Sequence, residues 1–541
     1  MEDSMEDQPG PSNPKKKRGK HNFITPKLVA TMDKCKVSDR DSVAIIIATA
    51  QALNHNVDDL IINKTTIRRC RTRLRAERAT LLHTTFKQKE FNTITVHWDG
   101  KMLPSLMGKE QVDRLPIIIS FNGNEQLLGI PAISSGTGKE QANAVYDLLY
   151  EWDLIDKLEA LSCDTTASNM GRLQGACVIF EQKIGRDLLY LPCQHHIYEI
   201  VLRGVFEETL CKSTGPNIPL FKRFQGSWSQ INKLNFKSGV DDQIVQESVD
   251  NVAEIINFAS YSLEFKQPRE DYREFLELSI IFLNGTVPKF SFRIPGAFHH
   301  ARWMAKAIYS LKIFLFRYEF VLTKDEENGI RDICIFLIKL YLKAWIKAPV
   351  AAKAPRQDFE FLKNLYAYSA INKNVSRGAL HKFCNHLWYL TPEAAALAFF
   401  DSTITYDAKK RMVVALDTLN DTDVKKLIIS SNNVPQYINT GIEEFVSQKT
   451  LQFFKRFEIP TDFINKDPSE WENDTNYNIG LNIVNNLRVV NDSAERGVKL
   501  MQEFNNVLSQ NEEEKQIILQ IVSDYRKRYP EAKKTTLMKN L

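Results

Sequence analysis

Thr93-Ile94-Thr95-Val96-His97-Trp98-Asp99 and Leu158-Glu159-Ala160-Leu161-Ser162-Cys163-Asp164 are the two stretches on which the fold turns. The first alternates in the strand manner and stops at Gly100; the second reads as a short buried strand, and each runs out on an aspartate. Between them, Leu115 to Phe121 is a β-branched run halted by Asn122-Gly123-Asn124, the composition of a tight hairpin turn, and Gln126 to Ile133 follows as its partner. Gln141 to Trp152 then carries Ala144, Leu148, Leu149 and Trp152 at helical spacing. After Asp164 the pattern predicts a helix over Ser168 to Ile184, a strand over Leu188 to Leu191 and a helix over Gln194 to Leu210. Residues 91–212 therefore read as βββαβαβα, an α/β unit built on a mixed sheet.

That order resembles the RNase H-like arrangement, in which the first and fourth strands lie side by side and parallel at the centre of the sheet. On this analogy Asp99 and Asp164, each at the carboxyl end of its strand, are expected to be neighbours although 65 residues separate them. Alone, an aspartate after a strand is an ordinary turn former, and Asp164 could cap the helix behind it. Two on adjacent strand ends suggest chemistry, because carboxylates are the usual ligands of hard divalent ions. Two such ions about 3.5–4 Å apart activate the attacking oxygen and stabilise the leaving one in phosphodiester cleavage. The cluster is expected to face solvent, so that its loss leaves the fold intact.

With 541 residues the chain exceeds one ordinary domain, and its 43% hydrophobic and 25% charged content is that of a folded protein rather than a disordered or fibrous one. Its eight cysteines form no CxxC pair, which argues against a disulfide framework or a zinc ribbon and points to a reducing compartment. The acidic, polar start lacks the apolar core of a signal peptide, and no apolar run approaches the roughly 20 residues that span a bilayer, so no membrane partner is expected. Net charge is only +5, so contact with nucleic acid has to come from local basic patches.

Residues 1–22 read as a disordered tail whose Lys15, Lys16, Lys17 and Arg18 resemble a nuclear import signal, with a plain solvated tail as the alternative. Residues 23–90 are helical. The last of these helices carries Arg68, Arg69, Arg71, Arg73, Arg75 and Arg78 against the single acid Glu77, dense enough to neutralise several DNA phosphates. The same arginines lie all round the helix and equally suit a solvated charged face. From 213 to 471 no comparable strand pattern appears, while Val249 to Phe265, Trp303 to Phe316 and Ile330 to Ile346 read as helices of a large insertion. Residues 472–541 complete the α/β core with helices over Ala494 to Phe504 and Glu512 to Tyr529.

From about residue 91 to 505 the sequence resembles the hAT superfamily of DNA transposases, whose RNase H-like catalytic domain is split by a helical insertion and carries an Asp-Asp-Glu triad. Asp99 and Asp164 fall where its first two acids would. Ser493-Ala494-Glu495-Arg496 is similar to the family's Ser-x-Glu-Arg stretch, which implies that Glu495 joins the aspartates as the third catalytic acid and ligand of Mg2+ or Mn2+. Cys193-Gln194-His195-His196 looks like the family's Cys-x-x-His element, implying active-site support from Cys193 and His196. Arg302-Trp303 looks like its Arg-Trp pair, implying contact with a distorted DNA end; stacking of a base on an indole is worth roughly 1–3 kcal/mol.

The implied activity is metal-dependent strand cleavage and strand transfer on double-stranded DNA, both transposon ends and target, by a nuclear, self-associating protein with no small-molecule cofactor. Two features depart from the family pattern. Gly497-Val498-Lys499 stand where an aromatic and then a serine commonly follow, and no Cys/His set of zinc-finger spacing precedes residue 90. Two other readings stand beside the transposase: a domesticated descendant that binds DNA or protein without cutting, and an RNase H-like nuclease acting on RNA or hybrids.

Overall fold

A computed structural model describes residues 23–106, 110–210, 218–296, 302–419, 424–505 and 508–528. The Lys15–Arg18 run lies outside them, and so do the side chains of Arg302 and Trp303.

The chain is α/β. β1 (Ile94–Trp98) lies at the centre of a five-stranded mixed sheet with β4 (Ile117–Phe121), β5 (Asn124–Gly129), β7 (Leu158–Ser162) and β8 (Leu189–Tyr190), in the order β5-β4-β1-β7-β8. β1 pairs antiparallel with β4, opposing Val96 to Ile119, and β4 pairs antiparallel with β5. Asn122 and Gly123 make that turn with φ of 43° and 72°, the left-handed pair that a two-residue hairpin requires. β1 pairs with β7, and β7 with β8, in parallel. All five residues of β1 are buried, as expected of a central strand covered on both faces.

Two apolar layers provide that cover. Ile94, Val96, Trp98, Ile117 and Ile119 belong to one large core that runs without a break from the sheet into the insertion. On the opposite face Ile118 and Leu127 pack with Leu500, Met501 and Phe504 of the helix Asp492–Phe504 and with Ile518, Leu519 and Val522 of the helix Glu512–Arg528. The last described segment of the chain therefore covers the sheet begun some 400 residues earlier. The insertion docks closely as well: where the helix Gln194–Thr209 crosses the helix Lys373–Phe383, a Cβ on Gly204 would stand 2.6 Å from the Gly378 carbonyl oxygen. Only glycine admits that approach.

Several elements differ from the expectation. Gln126 to Ile133 is not one strand, because Pro131 has no N–H for the ladder. The chain leaves the main sheet there, and β6 (Ala132–Ile133) joins β2 (Lys101–Pro104) and β3 (Gln111–Arg114) in a second, three-stranded sheet. The helix expected over Ser168 to Ile184 is two, Ala167–Met170 and Ala176–Ile184. Gly171 takes an extended backbone between them, and Gly175 sits where a Cβ would come within 2.4 Å of the Gly171 nitrogen. The run from Ile330 to Ile346 is helical throughout but widens to a π-turn over Leu337–Tyr341.

The N-terminal helices α1 (Pro26–Lys34), α2 (Asp39–Ala52) and α3 (Lys64–Lys87) enclose a small core of their own around Ile67. Asp33, wholly buried in it, receives Arg71 at 3.2 Å and Arg75 at 2.8 Å, and Arg75 also reaches Glu514 of the C-terminal helix at 2.6 Å. Removing one partner of such a network leaves charge uncompensated, so Arg75→Ala is expected to lower the unfolding free energy by about 3 kcal/mol in urea titration.

His97 is buried on β1, with Nε2 2.8 Å from the Ser120 hydroxyl. Burial pushes its pKa down to about 4. The unfolded chain takes up this proton near pH 6.5 and the folded chain does not until about pH 4, so stability present above pH 6.5 is lost as pH falls through that window. A His97→Gln variant should show a shallower loss between those limits, by up to about 1.4 kcal/mol per pH unit.

Candidate active site

Parallel pairing of β1 with β7 opposes His97 to Ser162. Two residues beyond this pair, just past the end of each strand, stand Asp99 and Asp164, at the same separation in sequence as His97 and Ser162. The Cys193 N–H donates to the Cys163 carbonyl at 2.9 Å, which brings the chain after β8 to the same level. Asn491 closes the group. Its N–H donates to Cys193 Sγ at 3.1 Å and its side-chain amide to the Trp98 carbonyl at 2.9 Å, which seats the start of the helix Asp492–Phe504 over the end of β1.

Asp164 is held by its own loop. Its Oδ1 accepts from the Thr166 N–H at 3.0 Å, the Thr166 hydroxyl at 2.6 Å and the Asn169 amide at 2.7 Å, and none of these bonds falls on Oδ2. Asn169 accepts in turn from Trp98 Nε1 at 2.9 Å, tying the central strand to the carboxylate. Burial pushes the Asp164 pKa up, but the nearby His196 and the bonds from Thr166 and Asn169 outweigh it, and the group titrates below the usual carboxylate range. Where an open cluster is expected, Asp99 is only 6% exposed. An alanine at Asp164 would also strand three donors, so loss of this acid is not neutral for the fold.

The Ser-x-Glu-Arg stretch divides between two neighbours. Ser493 and Arg496, one turn apart, both bind Glu125 on β5 and fasten the helix to the sheet. Glu495 points the other way and pairs with Arg269, an insertion residue preceding the helix Glu270–Phe282. At Gly497 a Cβ would stand 2.8 Å from Pro116, so a larger side chain has no room there unless the proline shifts.

Asp492 brings a further carboxylate to the same turn. It lies 3.8 Å from His195 Nδ1 and 3.5 Å from the Tyr272 hydroxyl. His195 stacks on Trp345 with ring centres 3.9 Å apart, and its Nε2 lies 3.0 Å from the Trp345 carbonyl. A carbonyl only accepts, so that contact assigns a proton to Nε2. Burial raises the Asp492 pKa, but the bond and charge of His195 with the charges of Arg496 and Arg269 leave it lowered overall. Cys193 is a buried thiol whose pKa burial raises, which suits a structural acceptor rather than a nucleophile. His196 stands 3.5 Å from Glu199.

The donor chemistry of Asp99 and Asp164 fits a hard divalent cation. Glu495 is engaged by Arg269, and among the described residues no group of three or more His, Cys, Asp or Glu side chains surrounds a single metal position.

The arginine-rich helix α3 is used largely inside the molecule. Arg71 and Arg75 are buried on Asp33, Asp39 and Glu514, and Arg78 pairs with Asp524 at 2.6 Å, so these three are committed to holding helices together. Arg68, Arg69 and Arg73 are exposed, the last beside Glu77. Arg302 opens the helix Arg302–Leu315. No described helix is long and apolar enough to cross a membrane.

Of the residues that line this region, Asp492 was legible as a second acid on the Glu495 helix, whereas Arg269, Tyr272 and Trp345 lie far away in sequence with no motif to mark them. Compared with known protein families and with curated proteins, the chain matches none. Asn169 is the local test of the geometry. Asn169→Ala leaves Trp98 Nε1 unpaired in the core and removes one of three bonds to Asp164, and should cost about 2 kcal/mol of stability in thermal or urea unfolding.

Proposed function

We propose that this chain is a hAT-like DNA transposase on an RNase H-like core, cutting and joining DNA with the help of Mg2+ or Mn2+. The observation that supports the reading is the parallel β1–β7 register, which pairs His97 with Ser162 two residues before Asp99 and Asp164. The order β5-β4-β1-β7-β8 and the return of the C-terminal helices after a helical insertion are what an RNase H-like core with a split domain requires. Asp99 and Asp164 would hold the metal, with Glu495 joining them from the seated helix. When bound, the ion would activate the attacking oxygen and stabilise the leaving oxygen of a phosphodiester.

The chain's own contribution is orientation. Thr166 and Asn169 turn Asp164 so that its Oδ2 edge is left for a ligand, and Asn491 aligns the acid-bearing helix with the strand ends. The supporting roles of Cys193 and His196 follow the same logic: the thiol accepts from Asn491, and the imidazole lowers the Asp164 pKa. DNA contact from α3 falls to the exposed Arg68, Arg69 and Arg73. The nuclear address and self-association stand with this reading as parts of the same proposal.

A second reading, a domesticated descendant that binds without cutting, draws on the ion pair that engages Glu495. Incubation of the purified chain with supercoiled plasmid and Mn2+ separates the two. Nicking and end joining are expected, and both should drop at least 100-fold in Asp99→Asn and Asp164→Asn, variants that keep side-chain volume and leave the circular dichroism unchanged. Cutting that persists in both variants would remove the mechanism. Cleavage confined to the RNA strand of a hybrid would replace the transposase with a simple nuclease.

A further inference from the structure

Arg269, a residue of the insertion, pairs with the candidate catalytic acid Glu495. Its guanidinium is fixed on several sides. Nε and Nη2 donate to both oxygens of Asp271 at 2.9 and 2.6 Å, and the group lies over the Tyr272 ring, 5.2 Å from its centre. The remaining nitrogen, Nη1, bonds Glu495. A bidentate pair with stacking beneath holds the plane of an arginine as well as its charge. Arg269 is therefore built to stay where it is when Glu495 moves.

Glu495 is differently placed. It stands on the first turn of a helix that Ser493 and Arg496 fasten to Glu125, so its backbone is anchored. It lies one turn beyond Asn491, whose side chain bonds the Trp98 carbonyl at the end of β1, and its carboxylate pairs with Arg269. A divalent cation shared with Glu495 would sit beside a fixed positive charge, and the two cations repel at short range. The carboxylate cannot serve both fully.

We infer that Arg269 competes with the divalent cation for Glu495, so that the insertion, through one arginine, sets the metal affinity of the acid cluster. This rests on the metal-binding reading of Asp99, Asp164 and Glu495 given above. It goes further by assigning a positioning role to a residue outside the acid set. It also makes readiness of the site depend on how the insertion is seated: any shift of Tyr272 and Asp271 carries the guanidinium with it.

The test is binding of Mn2+ alone to the full chain, without DNA, followed by calorimetry or water-proton relaxation. Arg269→Gln should bind Mn2+ roughly tenfold tighter than the parent, in keeping with the strength of a hydrogen bond to a charged group. The gain should vanish when Glu495→Gln is added. Arg269→Met keeps the packing over Tyr272 and should show the same gain, which covers a folding defect in the first variant. If Asp99→Asn abolishes Mn2+ binding but neither Arg269 variant tightens it, the competition is refuted and the metal site survives. If Asp99→Asn leaves Mn2+ binding unchanged, the metal-site reading fails and the inference with it.

Discussion

Parallel pairing of β1 with β7 is the constraint from which the rest of this structure follows. A parallel pair needs a long crossover, and here the hairpin of β4 and β5 and the helix α4 (Gly138–Glu151) supply it. His97 stands opposite Ser162 at the end of this ladder, and each strand gives way two residues later to an aspartate. A slip of one residue would reverse which face each side chain meets, turning Val96 and Trp98 out of the main core. Burial of those side chains is therefore what holds the carboxylates in register.

The second constraint is closure. With both faces of β1 covered, the sheet needs an apolar layer on the His97 side, and that layer comes from helices near the end of the chain. Bringing them back across the insertion works because the insertion shares the main core instead of hanging from it. The join is made by polar contacts at the strand ends: Asn491 to Trp98 and Cys193, Ser493 and Arg496 to Glu125. Pro116 against Gly497 sets how closely the helix approaches. These contacts place the start of the helix Asp492–Phe504 at the end of β1.

Charge at that edge is balanced from the insertion. Asp492 meets His195 and Tyr272, Glu495 meets Arg269, and Arg269 is tied to Asp271. Carboxylates gathered at a partly buried edge repel one another unless cations or donors compensate them. The insertion supplies Arg269 and, from the helix Glu270–Phe282, Tyr272, while His195 comes from the helix Gln194–Thr209, so the insertion contributes electrostatics as well as bulk. The arginines of α3 illustrate the same economy elsewhere, three of the six being drawn inward to buried or half-buried acids.

Local pattern was enough for the strands β1, β4, β7 and β8, for the Asn122-Gly123 turn and for the aspartates that end two of those strands, because alternation, β-branching and turn chemistry act over a few residues. It was not enough where a single residue redirects the chain, as Pro131 does between the two sheets and Gly171 between two short helices. Nor could composition tell which arginines of α3 face water, since that depends on Asp33 and Glu514, one near in sequence and one more than 400 residues away. The sequence by itself determined the central strands and the two aspartates at their ends. Only the tertiary structure decided that Asn491 seats the Glu495 helix over them and that Arg269 holds Glu495, because those contacts join segments whose separation along the chain erases any local signal.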